Sequence, residues 1–391
     1  MASKVVFLIL VFLLFYAYAG FSIVLKAISF FAPKQKLDAR YRPVVTIFVP
    51  AYNEEIVIAN KIKNCLSLEY PPELLEIMVC SDASTDRTGE IVRQFSDPRI
   101  TFFDYRKRSG KTGLINQSLP KARGEIVVLT DANTMLRKDA VVNLVRRFGS
   151  QEIGAVLGSI EVQLPECGRH LEKEVTYRKF ETELKYREGL FGYAMGAFGG
   201  LYAVRKAFFE PLPFNAYSND DFLLPISLLR KGKKVAFADD AVAFEETGAD
   251  LDEEFSRRIR IGAGNFQSFS FSLFLLDPRR PLRAFLFTSH KVLRWFSPFL
   301  LIGILFSNAL LFMSPVYSFL LVSQLGVYGL ATAGFMFTKK RINMPLLGSV
   351  LHFLSMNLAL LLGFLRFLKG IKSAAWESTP RTLPQADTSP E

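Results

Sequence analysis

The placement of apolar residues along the chain constrains its fold more than any other feature. Residues 5–25 carry no charged side chain, and neither do residues 295–313, 315–337 and 344–365. Each stretch is about as long as the ~20 residues that a helix needs to cross a bilayer. The region between the first two stretches has the mixed composition of a soluble domain. The sequence therefore predicts a polar domain held between one N-terminal and about three C-terminal membrane helices.

Basic residues are concentrated beside the apolar stretches and contribute to a formal net charge of +11. Because lysine and arginine favour the cytoplasmic side of a membrane, Lys34 and Arg40 place the polar domain in the cytoplasm. We interpret the charge as a topology signal and not as a nucleic-acid-binding patch. A cleaved signal peptide ending at Ala17–Ala19 is the alternative for the first stretch. Three full spans after a cytoplasmic domain would put the C-terminus outside, whereas Arg366 favours the cytoplasmic side. One C-terminal segment is therefore expected to be re-entrant or interfacial.

These patterns give the predicted division of the chain. Residues 1–32 hold the N-terminal transmembrane helix, residues 43–276 the cytoplasmic domain, and residues 279–294 an amphipathic helix at the bilayer surface. Residues 295–370 hold the remaining transmembrane helices. The tail, residues 378–391, is rich in Pro, Thr and Ser, and we expect it to be disordered.

Runs of β-branched and apolar residues alternate with helical patterns inside the polar domain. The predicted strands are residues 44–49, 75–80, 126–130 and 155–158. The predicted helices between them are residues 54–66, 88–95 and 111–121. This alternation predicts an α/β domain with a mostly parallel sheet covered on both faces. Ligands of such sheets bind at the carboxyl ends of the strands, so the site is expected there.

Polar side chains follow two of these predicted strands. Asp82 ends the second strand and can bond a ribose hydroxyl or a base N–H; capping of the next helix is the alternative, for which Asp86 is better placed. Asp131 and Asn133 follow a later strand and point the same way, so they can share a hard cation, unless they form only an Asx turn. Lys111 lies near a helix start and can contact a phosphate.

Two further motifs lie beyond residue 200. Asp220 and Asp221 are adjacent carboxylates, which raise each other's pKa and suit a general base; capping of the following helix is the alternative. Arg257 and Arg260 share one helical face and can clamp a diphosphate, or else face anionic lipid.

In their order and spacing, these motifs resemble those of the family 2 glycosyltransferases. The likeness rests on Pro50–Glu55, Asp82 with Ser84–Asp86, Gly110–Lys111 with Asn116, Thr130–Thr134, Gly196–Arg205, Asn219–Asp221 and Arg257–Arg260. It covers about residues 43–275 and is greatest toward membrane-integrated members similar to cellulose, hyaluronan and poly-N-acetylglucosamine synthases.

The resemblance implies a GT-A fold and inverting transfer of a sugar from a nucleotide-diphosphate donor, a UDP-sugar, to a glycan or lipid-linked acceptor. The nucleotide-sugar contacts that it implies are Ala51, Tyr52, Glu54, Asp82, Lys111 and Asp131. It implies that Asp131 and Asn133 bind Mg²⁺ or Mn²⁺. The implied catalytic residues are Asp221 as the base, Asp220 beside it, and Arg260 at the leaving diphosphate. The implied acceptor contacts are Gly199, Gly200, Arg257 and Ile261.

Two positions depart from the family pattern. Asn133 replaces the second Asp of the D-x-D motif, and an amide oxygen binds Mg²⁺ less strongly than a carboxylate. Ile261 replaces a Trp that offers the acceptor sugar a flat face in processive members, and Arg257 replaces a Gln. Polymer synthesis and single transfer therefore both stay open. So do an inactive membrane scaffold for another transferase, a polyprenyl-phosphate sugar transferase, and a need for a second copy or an accessory subunit.

Overall fold

The computed structural model describes residues 1–163, 171–216, 219–246, 251–338 and 345–370. The described residues divide into two compact units. One unit holds residues 29–246 and contains the β-sheet, whereas the other holds residues 1–28 and 251–370 and is helical. The tail that we expect to be disordered lies outside the described residues.

The sheet unit contains all the described strands. They are β1 (Val45–Ala51), β2 (Leu75–Asp82), β3 (Ile100–Tyr105), β4 (Ile126–Leu129), β5 (Thr134–Leu136), β6 (Ile153–Gln163), β7 (Tyr202–Arg205) and β8 (Lys234–Glu246). The helices of the described residues in both units, 3-10 turns aside, are α1 (Ala2–Ser29), α2 (Ile58–Leu66), α3 (Thr88–Arg93), α4 (Gly110–Ser118), α5 (Ala140–Val145), α6 (Leu171–Leu190), α7 (Asp220–Arg230), α8 (Leu251–Phe271), α9 (Pro281–Trp295), α10 (Ser297–Ala309), α11 (Pro315–Thr338) and α12 (Pro345–Leu368).

The described strands form one sheet in the order β3-β2-β1-β4-β7-β6-β8-β5. Strands β1 to β4 are mutually parallel, but β7 runs antiparallel to both β4 and β6, and β5 runs antiparallel to β8. The prediction of a mostly parallel sheet is therefore wrong in part, and the sheet is mixed. The physical reason is that β7 enters the sheet from the end where β4 finishes, since Tyr202 pairs with Leu129.

The central strands β1, β2 and β4 are buried along their whole length. Their β-branched residues are typical of strands covered on both faces, and the strands predicted for these segments are confirmed. Helix α2 packs on the sheet through Ile58, Ile62 and Cys65, which are fully buried. This rigid layer carries the strand ends that are described below.

The helical unit contains the apolar segments. Helix α1 is long and apolar enough to cross a bilayer, and α9 and α10 meet this criterion only as one pair bent by 65°. Pro315–Leu330 and His352–Leu368 are shorter apolar helices among the described residues. The expected amphipathic segment, residues 279–294, falls largely within helix α9, while the insertion of these helices into a bilayer stays a prediction.

Candidate active site

The carboxyl ends of β1, β2 and β4 lie at one edge of the sheet because these strands are parallel neighbours. Ala51 ends β1, Asp82 ends β2, and Asp131 lies just beyond β4. Because β7 runs the opposite way, the loop before it, which contains Gly199, reaches the same edge. The fold therefore brings together residues that the sequence assigns to the donor and to the acceptor.

Lys111 joins two of the acidic motifs. Its Nζ donates a hydrogen bond to Oδ1 of Asp131 at 2.8 Å and lies 3.4 Å from Oδ2 of Asp220. Burial disfavours the charge on Lys111, but the two carboxylates outweigh burial and raise the pKa of this lysine. Lys111 is therefore a fixed cation between two acids from distant parts of the chain.

The acidic pair begins helix α7. Asn219, with a left-handed φ of 68°, turns the chain into the helix. Oδ2 of Asp220 accepts a hydrogen bond from the hydroxyl of Tyr202 at 3.1 Å, and Oδ2 of Asp221 accepts one from the Gly199 N–H at 3.0 Å. The two carboxylates thus have different partners, and both are held by groups around β7.

Asp221 has the electrostatic environment of a general base. Burial, followed by the charge of Asp220, raises the pKa of Asp221 to about 6, while Lys111 and Lys185 oppose this rise. A carboxylate with a pKa near 6 is ionised at neutral pH, yet it accepts a proton more readily than an ordinary aspartate does. This is the behaviour that deprotonation of an acceptor hydroxyl requires.

Asp82 is fully buried and holds the turn that leads into helix α4. Its two oxygens accept hydrogen bonds from the Ser109 N–H at 2.7 Å, the Ser109 hydroxyl at 3.0 Å and the Gly110 N–H at 2.8 Å. At the start of helix α3 it is Asp86, and not Asp82, that accepts a hydrogen bond from the Thr88 N–H, at 3.0 Å. Asp82 thereby fixes the start of the helix that carries Lys111, and its direct contact with a nucleoside stays a prediction.

The segment after β1 provides an aromatic face. The guanidinium of Arg108 lies over the ring of Tyr52, 3.3 Å from its centroid. The Glu54 N–H donates to Oγ1 of Thr88 at 2.8 Å, which ties this segment to the one after β2. The sequence did not single out Arg108, because an arginine in a polar loop gives no sign of the ring that it covers.

The two glycines assigned to the acceptor have different surroundings. Gly199 has a φ of +51°, and a Cβ there would lie 3.4 Å from Oδ2 of Asp131 and 3.7 Å from Oδ2 of Asp221. A Cβ on Gly200 would instead lie 2.7 Å from Oγ1 of Thr134. Gly199 therefore separates the two carboxylates, whereas Gly200 allows the loop to pack closely on β5.

Asp131 and Asn133 offer oxygens for a cation. Asn133 is half-buried, and its side chain makes no hydrogen bond within the described residues. The described residues contain no group of three or more His, Cys, Asp or Glu side chains that could hold a metal ion. Mg²⁺ is usually bound through one or two carboxylates together with water and substrate phosphates. Asp131 and Asn133 therefore fit a cation shared with a diphosphate and do not fit an all-protein metal site.

A buried lysine supports the Gly199 loop. Nζ of Lys185 lies 3.3 Å from the centroid of the Phe198 ring and 3.4 Å from the Ala197 carbonyl oxygen, to which it donates. No sequence pattern pointed to Lys185, since a lysine in a charged helix normally faces solvent. The other predicted residues, Arg257, Arg260 and Ile261, lie on helix α8 in the helical unit, and their roles stay predictions.

Comparison with known proteins decides the family. Residues 46–208 match the family described as "Glycosyl transferase family 2". The chain carries a family 2 glycosyltransferase domain. The resemblance to family 2 is therefore confirmed for residues 46–208, which contain every predicted nucleotide-sugar contact as well as Gly199 and Gly200.

The relatives match only part of this chain and only part of their own length. The "Probable glycosyltransferase YdaM" of Bacillus subtilis (strain 168) is 34% identical over 140 residues, which are 33% of this chain and 32% of that protein. A "Beta-monoglucosyldiacylglycerol synthase" of Nostoc sp. (strain PCC 7120 / SAG 25.82 / UTEX 2576) is 36% identical over 118 residues, 29% of this chain and 25% of that protein. The chain thus matches a third or less of the length of these relatives.

A solved structure extends the likeness in fold. The "Mannosyltransferase PcManGT from Pyrobaculum calidifontis in complex with GDP-Man and Mn2+" aligns with a TM-score of 0.69, covering 94% of this chain and 99% of that one at 23% identity. The chain therefore has a GT-A-like fold.

Proposed function

We propose that this chain is an inverting glycosyltransferase that moves a sugar from a nucleotide-diphosphate donor to a hydroxyl of a lipid-linked or glycan acceptor. The observation that carries the proposal is the placement of Asp221. It is a carboxylate with a raised pKa, held by the Gly199 N–H beside the cluster of Lys111, Asp131 and Asp220.

The proposed reaction is a single displacement. An ionised Asp221 takes the proton of the acceptor hydroxyl, and the freed oxygen attacks the anomeric carbon of the donor sugar. The bond from that carbon to the diphosphate oxygen breaks, and the diphosphate leaves with the electron pair. Attack from the face opposite the leaving group inverts the configuration.

The leaving diphosphate carries charge that the site must stabilise. Lys111 supplies one fixed positive charge, and Arg260 is a second candidate on helix α8. Mg²⁺ or Mn²⁺ bound with Asp131 and Asn133 would neutralise further charge on the diphosphate oxygens. A PcManGT complex that contains GDP-Man and Mn²⁺ supports the choice of cation, and the Nostoc relative supports a lipid acceptor.

We place the enzyme in the inner or plasma membrane with its sheet unit in the cytoplasm. The long apolar helix α1 and the basic residues that follow it support this placement. An inactive scaffold is the alternative, but a scaffold would need no acidic cluster such as that of Asp131, Asp220 and Asp221.

The test uses purified full-length protein in lipid nanodiscs, with a panel of UDP- and GDP-sugars, Mn²⁺, and acceptors that include diacylglycerol, polyprenyl phosphate and oligosaccharides. We expect one donor to give a product of inverted anomeric configuration, and the product length separates single transfer from polymer synthesis. A retained configuration, or no transfer from any donor, would contradict the proposal.

A further inference from the structure

Helix α2 presents two polar side chains, Lys61 and Asn64, to the segment that follows β4. They lie three residues apart and so share one face of the helix. Lys61 is fully buried. Its Nζ donates a hydrogen bond to Oγ1 of Thr130 at 2.8 Å and another to the carbonyl oxygen of Thr134. The lysine therefore joins the residues on both sides of Asp131, Ala132 and Asn133.

Asn64 holds the next part of the same segment. Its Nδ2 donates to the Leu136 carbonyl oxygen at 2.8 Å, and its Oδ1 accepts from the Leu136 N–H at 2.8 Å. Within the segment, the Thr134 N–H donates to the Asp131 carbonyl oxygen at 3.2 Å and closes the turn. The backbone from Thr130 to Leu136 is thus tied to one helix at three points.

Burying a lysine between a helix and a sheet is unfavourable in free energy. Its neighbours on the buried face of α2, Ile58, Ile62 and Cys65, are apolar, and a methionine would fill a similar volume without an ionisable group. Burial lowers the pKa of Lys61, and the negative charge of Asp131 partly opposes that shift. An apolar residue at position 61 would pack equally well and would make the folded protein more stable. The presence of a hydrogen-bonded lysine there therefore needs an explanation other than stability.

We propose that Lys61 and Asn64 are positioning residues that fix the directions in which Asp131 and Asn133 present their oxygens to the cation and diphosphate of the donor. This inference rests on the proposed function, because it assigns Asp131 and Asn133 the same cation. Neither positioning residue touches the donor. Lys61 acts through the Thr130 hydroxyl and the Thr134 carbonyl, and Asn64 acts through the backbone of Leu136.

The clamp, meaning Lys61 and Asn64 together, predicts a specific loss in the Lys61→Met variant. Both hydrogen bonds donated by Nζ of Lys61 disappear, and the Thr130 hydroxyl and Thr134 carbonyl lose a buried partner. Loss of groups that orient metal ligands typically lowers metal affinity about 10–100-fold, and we expect that range for Mn²⁺ measured in the presence of UDP or GDP. We expect kcat/KM for the donor to fall about 100-fold, because small misplacements have effects of that size.

Thr130→Val tests the route through which the clamp acts. Valine keeps the shape of threonine but cannot accept the hydrogen bond from Lys61. We expect a smaller loss of Mn²⁺ affinity than in Lys61→Met, and the double variant should lose less than the product of the two single losses. Asn64→Asp, which removes the donor to Leu136, should lower Mn²⁺ affinity by the same mechanism.

The matched control is Lys63→Met, which removes an exposed lysine from the same helix. Binding of Mn²⁺ with UDP or GDP is followed by calorimetry and by the EPR spectrum of the bound ion, alongside thermal unfolding. Affinity in Lys61→Met and Thr130→Val equal to that in Lys63→Met would overturn the clamp. If Lys61→Met does not fold, Thr130→Val and Asn64→Asp decide in the same way. Failure of the proposed function would be seen separately, as wild-type protein that transfers no sugar.

Discussion

In the proposed reaction, the ionisation of Asp221 sets how the transfer rate depends on pH. Its pKa is raised to about 6, first by burial and then by Asp220. A base acts only when it is ionised, so activity must fall as the pH falls through this value. With a pKa near 6, about nine-tenths of the carboxylate is ionised at pH 7 and about one-tenth at pH 5. We therefore expect kcat/KM for the donor, which reports the free enzyme, to fall about tenfold between these pH values.

Asp221→Asn removes the base while nearly keeping the shape of the side chain. The amide oxygen can still accept from the Gly199 N–H, so donor binding should change little. Loss of general base catalysis should lower kcat by about 10²–10⁴-fold, and the residual rate should lack the acidic limb. The assay is the initial rate of nucleoside diphosphate release, dependent on acceptor, from pH 5 to 9. Glu73→Gln, at an exposed position in the same unit, is the matched control.

The same variant has an expected effect on stability. Because the folded pKa of Asp221 is raised above its unfolded value of 3.8, the folded state binds more protons in this window, and stability declines as the pH rises through about 6. Asp221→Asn should lack this decline and be more stable than wild type at pH 8 in thermal unfolding. An Asp221→Asn rate within threefold of wild type, or an unchanged acidic limb, would refute the assignment of the base.

Three further variants test other parts of the site. Lys111→Met should move the acidic limb to higher pH, because Lys111 lowers the pKa of Asp221; an unmoved limb would show that the two groups do not interact. Asn133→Asp should lower the Mn²⁺ concentration needed for half-maximal activity, on the order of tenfold, because it adds a carboxylate ligand; an unchanged requirement would remove Asn133 from the cation site. Gly199→Ala should cost about 1–2 kcal/mol of stability and most of the activity, whereas Gly232→Ala, with a φ of +74°, should cost only stability.

The strands nearest the site could be predicted because burial on both faces requires continuous apolar runs. Val45–Ala51 and Leu75–Asp82 show such runs, and the polar residues at their ends follow directly. The reversed direction of Tyr202–Arg205 could not be predicted, since strand direction depends on which neighbour the chain meets. That reversal brings Gly199 to the acidic cluster, so this part of the site depends on the strand order, which the local sequence does not contain.

Long-range hydrogen bonds were the other missing information. Asp82 is predicted to contact the donor from its strand end, but no local pattern indicates that its oxygens also accept hydrogen bonds from Ser109 and Gly110. Lys61 and Lys185 lie on helices where a lysine normally faces solvent, and only the fold shows that both are buried. Family motifs indicate the groups that we propose act on the donor and acceptor, whereas the residues that we propose position them have no sequence pattern of their own.

The most direct test is a structure of the full-length protein with Mn²⁺ and a phosphonate analogue of the preferred donor. We expect the diphosphate to lie between Lys111 and the Asp131–Asn133 turn, with the Asp221 carboxylate facing the anomeric carbon from the side opposite the diphosphate. A donor bound away from this edge of the sheet, or an anomeric carbon whose open face is turned away from Asp221, would contradict this prediction.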